Sequence, residues 1–147
     1  MAIIVPPAVR ADYALAKAYL CRDVREREIF ATIERSHRSF HLEMDRRSDD
    51  HFDPSTNRIF WDPYSALRTS RGGTQSPALG LGHELDHAAQ NAVREARLSN
   101  APVARYDNLE ERRVIRGSER HAARTLGEAV RYDHRGSVFR VATPVSR

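Results

Sequence analysis

The stretch that decides the fold is Ser76-Pro77-Ala78-Leu79-Gly80-Leu81-Gly82-His83-Glu84-Leu85-Asp86-His87. It predicts the start of a helix, because Ser76 is a hydroxyl N-cap and proline suits the first helical position. We expect this helix to run to about Arg97 and to end before Ser99-Asn100-Ala101-Pro102. The residues that form its apolar stripe, and that should face the core, are Ala78, Leu81, Leu85, Ala88, Ala92 and Ala96.

Within this helix, His83 and His87 are four residues apart, so both imidazoles lie on one face, one above the other. That spacing allows both to bind one Zn²⁺ at about 2.0–2.1 Å. Glu84 lies beside such a metal rather than on it, where its carboxylate can take a proton from the metal-bound water. The alternative is a solvated polar stripe, because the two histidines share a face with Gln90 and Arg94.

Two glycines, Gly80 and Gly82, occupy the first turns of the same helix. Each costs roughly 1 kcal/mol relative to alanine in a helix interior. Their presence predicts that a strand or an extended substrate approaches the helix closely.

A catalytic zinc site needs a third protein ligand and an open position for water. Glu111 follows Asn108, a good N-cap, and shares a helical face with Val114 and Ile115, so it should point inward. A competing role for Glu111 is to return to the Asn108 amide in a capping box. The other candidate ligands in this segment are Glu110, Glu119, His121 and His134. We predict one Zn²⁺ per chain on Glu111 and the two histidines of the motif, with Glu84 as the catalytic base.

The remainder of the chain predicts an α+β fold. Two helices should precede the motif, one from about Asp12 to Leu20 and one from Val24 toward Glu34, since apolar residues recur at helical spacing. Two short strands, 39–44 and 58–62, are expected to pair as an antiparallel hairpin across a polar turn. After Asn108 we expect a helix interrupted at Gly117-Ser118, a helical segment to Leu126-Gly127, and a final strand over 137–141.

Composition limits the classes of protein. The chain has 147 residues, of which 40% are hydrophobic and 30% charged, which fits one folded domain. No apolar run approaches the roughly 18 residues of a membrane span. The single cysteine, Cys21, excludes an internal disulfide and is interpreted as a small buried hydrophobe. Of the 24 basic residues only Lys17 is lysine, and the others are arginines. Acidic residues are interspersed among these arginines and the net charge is only +4, and both observations disfavour a nucleic-acid partner.

Several further residues are candidates for supporting roles. An oxyanion-stabilising side chain is expected from the segment that borders the cleft, where the candidates are Tyr106, His121, Arg131, Tyr132 and His134. A second, weaker metal site could be assembled from His37, His41, His51, Asp49 and Asp50. Phe60 and Trp61 are interpreted as core residues.

Four runs carry a resemblance to a known family: Ile59-Phe60-Trp61-Asp62-Pro63, Ser76-Pro77-Ala78-Leu79 leading into the H-E-x-x-H motif, Asn108-Leu109-Glu110-Glu111-Arg112-Arg113-Val114-Ile115-Arg116-Gly117, and Leu126-Gly127-Glu128-Ala129-Val130-Arg131 followed by His134 and Gly136. Over about residues 58 to 142 the chain resembles the NleD-type zinc metallopeptidase effectors. That family comprises type III secreted effectors, with related toxin domains at the C-termini of type VI VgrG spike proteins and Rhs proteins. The resemblance implies zinc on the motif histidines and a downstream glutamate. It also implies cleavage either of host signalling kinases or, for the VgrG-linked domains, of bacterial or host targets.

We therefore expect a single minimal zincin-like, gluzincin-like metallopeptidase domain over residues 1–147. Its N-terminal helices and first strand occupy 1–57, and its catalytic core occupies 58–142. In it, the antiparallel hairpin packs on the motif helix and on a C-terminal ligand helix, and we expect the hairpin to offer an edge strand to an extended substrate.

The expected function is that of a zinc endopeptidase delivered as a bacterial effector or toxin by a type III or type VI system. We expect no Sec signal peptide, because Ala2-Ile3-Ile4-Val5 is followed at once by Pro6-Pro7 and follows no basic segment. The expected partners are a protein substrate in a target cell and a secretion chaperone, spike protein or immunity protein, without nucleic acid or a membrane span. The alternatives are an arginine-rich nucleic-acid-binding domain with a fortuitous motif and a proteolytically inactive zinc-binding interaction domain.

Overall fold

The computed structural model describes residues 3–147; Met1 and Ala2, the first two residues of the predicted domain, lie outside the described part. The α-helices are α1 (Arg10–Leu20), α2 (Val24–Arg35), α3 (Pro77–Ala89), α4 (Ala92–Ser99), α5 (Leu109–Val114) and α6 (Arg120–Leu126). A 3₁₀ turn covers Pro7–Val9, and a π-helical segment, Ile115–Glu119, joins α5 to α6. The strands are β1 (Ile3–Ile4), β2 (Phe40–Met44), β3 (His51–Asp53), β4 (Arg58–Trp61), β5 (Ser65–Thr69), β6 (Thr74–Gln75), β7 (Pro102–Val103), β8 (Asp107–Asn108) and β9 (Gly136–Arg140). This mixture of helices and sheets confirms the α+β prediction.

The strands form two sheets and a small two-stranded ladder. The first sheet has the order β1-β2-β4-β3, so it takes strands from both sides of the predicted boundary at residue 57. The second sheet has the order β6-β5-β9 and is antiparallel throughout, and β7 pairs with β8. The edge strands β3 and β9 are important for the site described below.

The predicted antiparallel pairing of 39–44 with 58–62 is wrong. The two strands are parallel, with His41 opposite Arg58 and Met44 opposite Trp61. Parallel neighbours need a crossover connection, and residues 45–57 provide it. This segment is more than a turn, because it contains β3, which forms the antiparallel hairpin with β4. The hairpin β3–β4 packs against α3, so the predicted contact of a hairpin with the motif helix is present, although its first strand is a different one.

The predicted continuous helix from Ser76 to Arg97 is also wrong beyond Ala89. Gln90 leaves the helical conformation with ψ 150°, and the side chain of Asn91 accepts hydrogen bonds from the backbone N–H groups of Val93 and Arg94. Asparagine satisfies the free amides at a helix start, so a local cap competes with continuation of the helix. The stripe of polar residues predicted to extend from the motif to Arg94 is therefore divided between two helices.

The core surrounds α3, which packs against α1, α2 and strands of both sheets. Trp61 is fully buried and its Nε1 donates a hydrogen bond to the carbonyl oxygen of Pro77 at 2.8 Å, which fixes the start of α3 against the first sheet. The prediction that Phe60 is a core residue is wrong: Phe60 is only half-buried, on the other face of the same strand, where its ring stacks on His51. Cys21 is partly buried against the core. No helix within residues 3–147 is both long and apolar enough to cross a membrane.

Candidate metal centre

Three side chains converge at the centre of the molecule: His83, His87 and Glu111 each offer one ligand atom, and these atoms lie within 4.8 Å of one another. The two histidine Nε2 atoms are 3.0 Å apart, and the Glu111 carboxylate lies 2.9 Å from Nε2 of His83 and 3.3 Å from Nε2 of His87. Two nitrogens on one tetrahedral ion at about 2.0–2.1 Å are about 3.3 Å apart, close to this separation. The cluster could therefore hold a metal ion.

Burial distinguishes this cluster from a solvated polar stripe. The exposed fraction is 4% for His83 and 6% for His87. Helix α3 is buried on both its apolar stripe and its histidine face, because α5 and the π-helical segment cover the second face. The interpretation of the two histidines as surface residues is wrong.

Glu111 reaches the histidines because of the way α5 begins. The side chain of Asn108 accepts a hydrogen bond from the Glu111 backbone N–H at 2.9 Å, as an N-cap should. The Asn108 N–H donates to the Tyr106 carbonyl oxygen at 2.8 Å instead of to the Glu111 carboxylate. The reciprocal bond of a capping box is therefore not made, and the Glu111 side chain is directed at the imidazoles.

The competing glutamates occupy the opposite sides of the two rings. Glu119 Oε2 lies 2.7 Å from Nδ1 of His83, and Glu110 Oε1 lies 3.1 Å from Nδ1 of His87. A carboxylate on Nδ1 fixes the ring and directs Nε2 toward a metal, as is usual for metal-binding histidines. Glu110 and Glu119 are placed to orient the histidines, and Glu111 lies on the Nε2 side that the two rings share.

Two arginines hold these orienting carboxylates. Arg131 donates to both oxygens of Glu119, at 2.8 and 2.6 Å, and Arg113 donates to Glu110 and to Asp86. Both ion pairs lie behind the rings. Such charge-assisted pairs keep each imidazole in one orientation.

The electrostatics of the cluster follow from these contacts. Burial disfavours the charged form of His83, but the hydrogen bonds to Glu111 and Glu119 outweigh it and raise the pKa of His83 to about 10. The pKa of His87 is raised to about 9, since Glu110 and Glu111 likewise outweigh burial. The pKa of Glu111 falls well below its usual range, despite burial, because it contacts both imidazoles. A bound cation would take over the charge compensation that the imidazole protons provide.

An open cleft lies beside the cluster. It consists of two adjoining cavities of about 300 and 310 Å³ that share Asp49, Asp50, Glu84 and His134. Gly136 and Val138 of the edge strand β9 line the first cavity, and His51 and Phe52 of the edge strand β3 line the second. Glu84 Oε1 is 3.9 Å from His83 Nε2, and Glu84 lines both cavities, so its carboxylate lies beside the three-residue cluster and borders the cleft.

Of the predicted oxyanion candidates, His134 borders the cleft on both sides. Its Nε2 lies 3.4 Å from Glu111 Oε2, its ring is nearly parallel to that of His83, and its Nδ1 pairs with Asp107. Arg131 lines the first cavity but is engaged by Glu119. The remaining candidates line neither cavity; they are Tyr106, His121 and Tyr132.

The alternative second metal site does not form. Within residues 3–147 the His83, His87 and Glu111 group is the one set of three convergent ligand residues. His51 instead stacks on Phe60, and Asp49 and Asp50 line the cleft.

The two glycines of α3 do allow a close approach, which side chains rather than a strand make within residues 3–147. Gly80 also lines the first cavity of the cleft, so the approach of an extended substrate stays a prediction. A Cβ atom on Gly82 would lie 2.7 Å from Glu26 Oε2, and one on Gly80 would lie 3.1 Å from Asp50 Oδ2. The approaching groups are therefore carboxyl side chains from α2 and from the loop before β3. The sequence contained a signal for Glu26, which shares the buried face of α2 with Ile29, Phe30 and Ile33. Asp50 carries no such signal.

Glu26 is buried beneath α3, and within residues 3–147 neither of its carboxyl oxygens has a hydrogen-bond partner. Burial, together with the charges of Asp86 and Asp23, raises the pKa of Glu26 to about 8 from its ordinary 4.5. A carboxyl group with a raised folded pKa makes folding less favourable as pH rises above its unfolded pKa, until the folded pKa is passed. The shift corresponds to roughly 4–5 kcal/mol of stability lost across that window.

We predict that Glu26→Gln removes most of this loss. The free energy of unfolding is measured by urea denaturation at about pH 5 and at about pH 9. Between these two pH values it should fall by roughly 4 kcal/mol more in the wild type than in the variant. Glu28→Gln, an exposed glutamate on the same helix, is the matched control and should follow the wild type. Equal pH dependence of Glu26→Gln and wild type would contradict a buried, raised-pKa carboxyl.

Comparison with known proteins adds no relative: no protein-family model, no curated protein and no solved structure matches this chain.

Proposed function

We propose that this protein is a zinc-dependent endopeptidase with a minimal zincin-like, gluzincin-type centre. The observation that carries the proposal is the convergence of His83, His87 and Glu111, with Glu84 beside them at the edge of an open cleft. Three protein ligands and an open side are typical of catalytic zinc, whereas structural zinc usually has four protein ligands.

The donor set favours zinc over the harder cations. Two imidazole nitrogens and one carboxylate suit zinc, whereas magnesium and calcium prefer oxygen ligands alone. The carboxylates on both Nδ1 atoms, Glu119 and Glu110, are the usual support for such histidines. When bound, zinc supplies a Lewis acid that polarises a carbonyl group and acidifies water.

The residues of the chain divide the remaining work. Glu84 accepts a proton from the attacking water at its carboxylate and passes it to the leaving amine. Glu84 has an exposed fraction of only 8%, so the surrounding protein shields it from bulk water, and it lines the cleft. His134, which Asp107 orients, is the side chain best placed to contact the carbonyl oxygen of the scissile bond.

The edges of the two sheets favour a polypeptide as substrate. Both β3 and β9 are edge strands, and both line the cleft. An extended peptide can add to an edge strand through main-chain hydrogen bonds. We propose β3 as the edge strand of the hairpin that pairs with the substrate.

The biological setting of the proposal rests on the sequence resemblance. By that resemblance the protein is an effector or toxin that a type III or type VI system delivers into a target cell. Its substrate would be a host or bacterial protein, and its other partners a chaperone, spike protein or immunity protein.

A proteome-derived peptide library tests the activity on many sequences at once, so no particular substrate has to be chosen. We expect zinc-loaded protein to generate new peptide termini detectable by mass spectrometry. We expect 1,10-phenanthroline to abolish them and added Zn²⁺ to restore them. Bound zinc with no new termini would favour the interaction-domain alternative instead.

A further inference from the structure

A separate, basic cavity is connected through the chain to the residues of the cleft. Its volume is about 370 Å³, and its lining consists of three arginines, a tyrosine and an aspartate: Arg71, Arg105, Arg135, Tyr132 and Asp133. We call this the arginine pocket. The chain connects it to the cleft, because His134, which borders the cleft, lies between Asp133 and Arg135 in the sequence. The His134 N–H also donates to the Arg105 carbonyl oxygen at 2.7 Å.

The three arginines of this pocket outnumber its one carboxylate, Asp133, so its lining has a net positive charge. Among residues 3–147, no carboxylate lies within 4.0 Å of a side-chain nitrogen of Arg71, Arg105 or Arg135. Asp133 is engaged elsewhere, since it accepts hydrogen bonds from the Ser70 hydroxyl and from the Arg135 backbone N–H. By contrast, Arg113 and Arg131, which contact the glutamates that orient the two histidines, are each paired with one of those glutamates. The pocket is therefore available to an external anion.

The backbone around the pocket holds unusual conformations. Arg105 and Asp107 have φ of +74° and +67°, in the left-handed region that non-glycine residues seldom adopt. The hydrogen bond from the His134 N–H to the Arg105 carbonyl oxygen and the contact of the Asp107 carboxylate with His134 Nδ1 maintain them. Such conformations cluster at ligand sites. The same turn thus places Arg105 in the pocket and orients the cleft histidine.

Tyr132 fixes the second side of the pocket. The Arg71 guanidinium lies 3.8 Å from the centre of its ring, and Arg120 lies 5.4 Å from it. A stacked guanidinium keeps its in-plane N–H groups free for a planar or tetrahedral oxyanion. Because arginines already occupy the ring, it is not free to stack on a nucleic-acid base, which disfavours a single-stranded nucleic acid.

We propose that the arginine pocket binds an anionic side chain, carboxylate or phosphoryl, of the polypeptide in the cleft. The inference rests on the proposed peptidase function and names its substrate class: a chain with an acidic or phosphorylated residue near the scissile bond. The cleft is also lined by the exposed carboxylate Asp49, which repels an anion bound there and so favours the arginine pocket for the charged residue.

Inorganic phosphate and acetate are the probes for this pocket, and neither requires cleavage. In side-chain ¹H–¹⁵N NMR spectra of the zinc-loaded protein, we expect saturable shifts of the Nε–H signals of Arg105 and Arg135 with phosphate. Removing two charge-assisted donors in Arg105→Gln/Arg135→Gln should weaken binding by about tenfold or more. Arg124→Gln, an exposed arginine on α6, tests the effect of removing a positive charge elsewhere and should bind phosphate as the wild type does.

The outcomes distinguish a phosphoryl from a carboxylate side chain, and a polypeptide from a nucleic-acid partner. Phosphate binding without acetate binding assigns the pocket to a phosphoryl side chain, and comparable binding of both assigns it to a carboxylate. Absence of saturable binding, or an equal loss in the Arg124→Gln control, overturns the inference. So does tighter binding of a single-stranded oligonucleotide than of a phosphoserine peptide. Failure of cleavage with phosphate binding intact would count against the peptidase function alone.

Discussion

Glu84→Gln is expected to lower kcat by about 10²–10⁴-fold and to leave zinc binding essentially unchanged. The amide keeps the size of the carboxylate but can neither accept the proton of the attacking water nor return it to the leaving amine. Glu84 Oε1 is 3.9 Å from His83 Nε2 and faces the cleft, so the change removes the base without removing a ligand. The measurement is kcat and KM on a peptide that the wild type cleaves, with zinc content determined on the same samples.

The matched control for this variant is Glu95→Gln. Glu95 lines the second cavity of the same cleft but is bonded to the Ser99 hydroxyl, and a glutamine can accept that bond as well. It should retain wild-type kcat. Full activity in Glu84→Gln, or an equal loss in both variants, would rule out Glu84 as the base.

Glu111→Gln is expected to weaken zinc binding by more than Glu110→Gln does. Glu111 lies on the Nε2 side of both imidazoles, whereas Glu110 contacts Nδ1 of His87. Loss of a carboxylate that only orients a ligand costs roughly 10–100-fold in affinity, and loss of an anionic ligand should exceed that range. Competition with a chromophoric chelator gives the two affinities.

Folding must be checked in the same series, because Glu110 also pairs with Arg113. Circular dichroism of both variants and of His83→Ala serves this purpose, and His83→Ala should lose zinc and activity together. A larger loss of affinity in Glu110→Gln than in Glu111→Gln, with both variants folded, would exchange the two assigned roles.

Local signals in the sequence were sufficient to predict where the helix that carries the site begins. Ser76 and Pro77 mark the start of α3, and the Ser76 hydroxyl accepts a hydrogen bond from the Leu79 N–H, as the cap requires. Asn108 likewise marks the start of α5. Caps act within a few residues, so a single sequence can reveal them.

Strand pairing was not predictable in the same way. Whether β2 and β4 run parallel depends on the path of residues 45–57, and within that segment β3 is too short to show an alternating pattern. The break after Ala89 was partly predictable from the sequence. Asn91 is a recognisable N-cap, but it lies inside a run whose apolar residues continue at helical spacing.

The third ligand shows a limit of helical-face arguments. Burial of Val114 and Ile115 correctly indicated that α5 faces the core, but Glu110 is buried as well, with an exposed fraction of 1%. Facing inward therefore does not distinguish the two glutamates. What distinguishes them is the imidazole nitrogen that each one reaches, which depends on how α5 is set against α3.

The most direct test of a zinc centre in this protein is the zinc content per chain, measured by plasma mass spectrometry after dialysis against a zinc buffer. We predict about one zinc per chain in the wild type and essentially none in His87→Ala. A zinc-free wild type, or a His87→Ala variant that retains its zinc, would contradict the proposed centre.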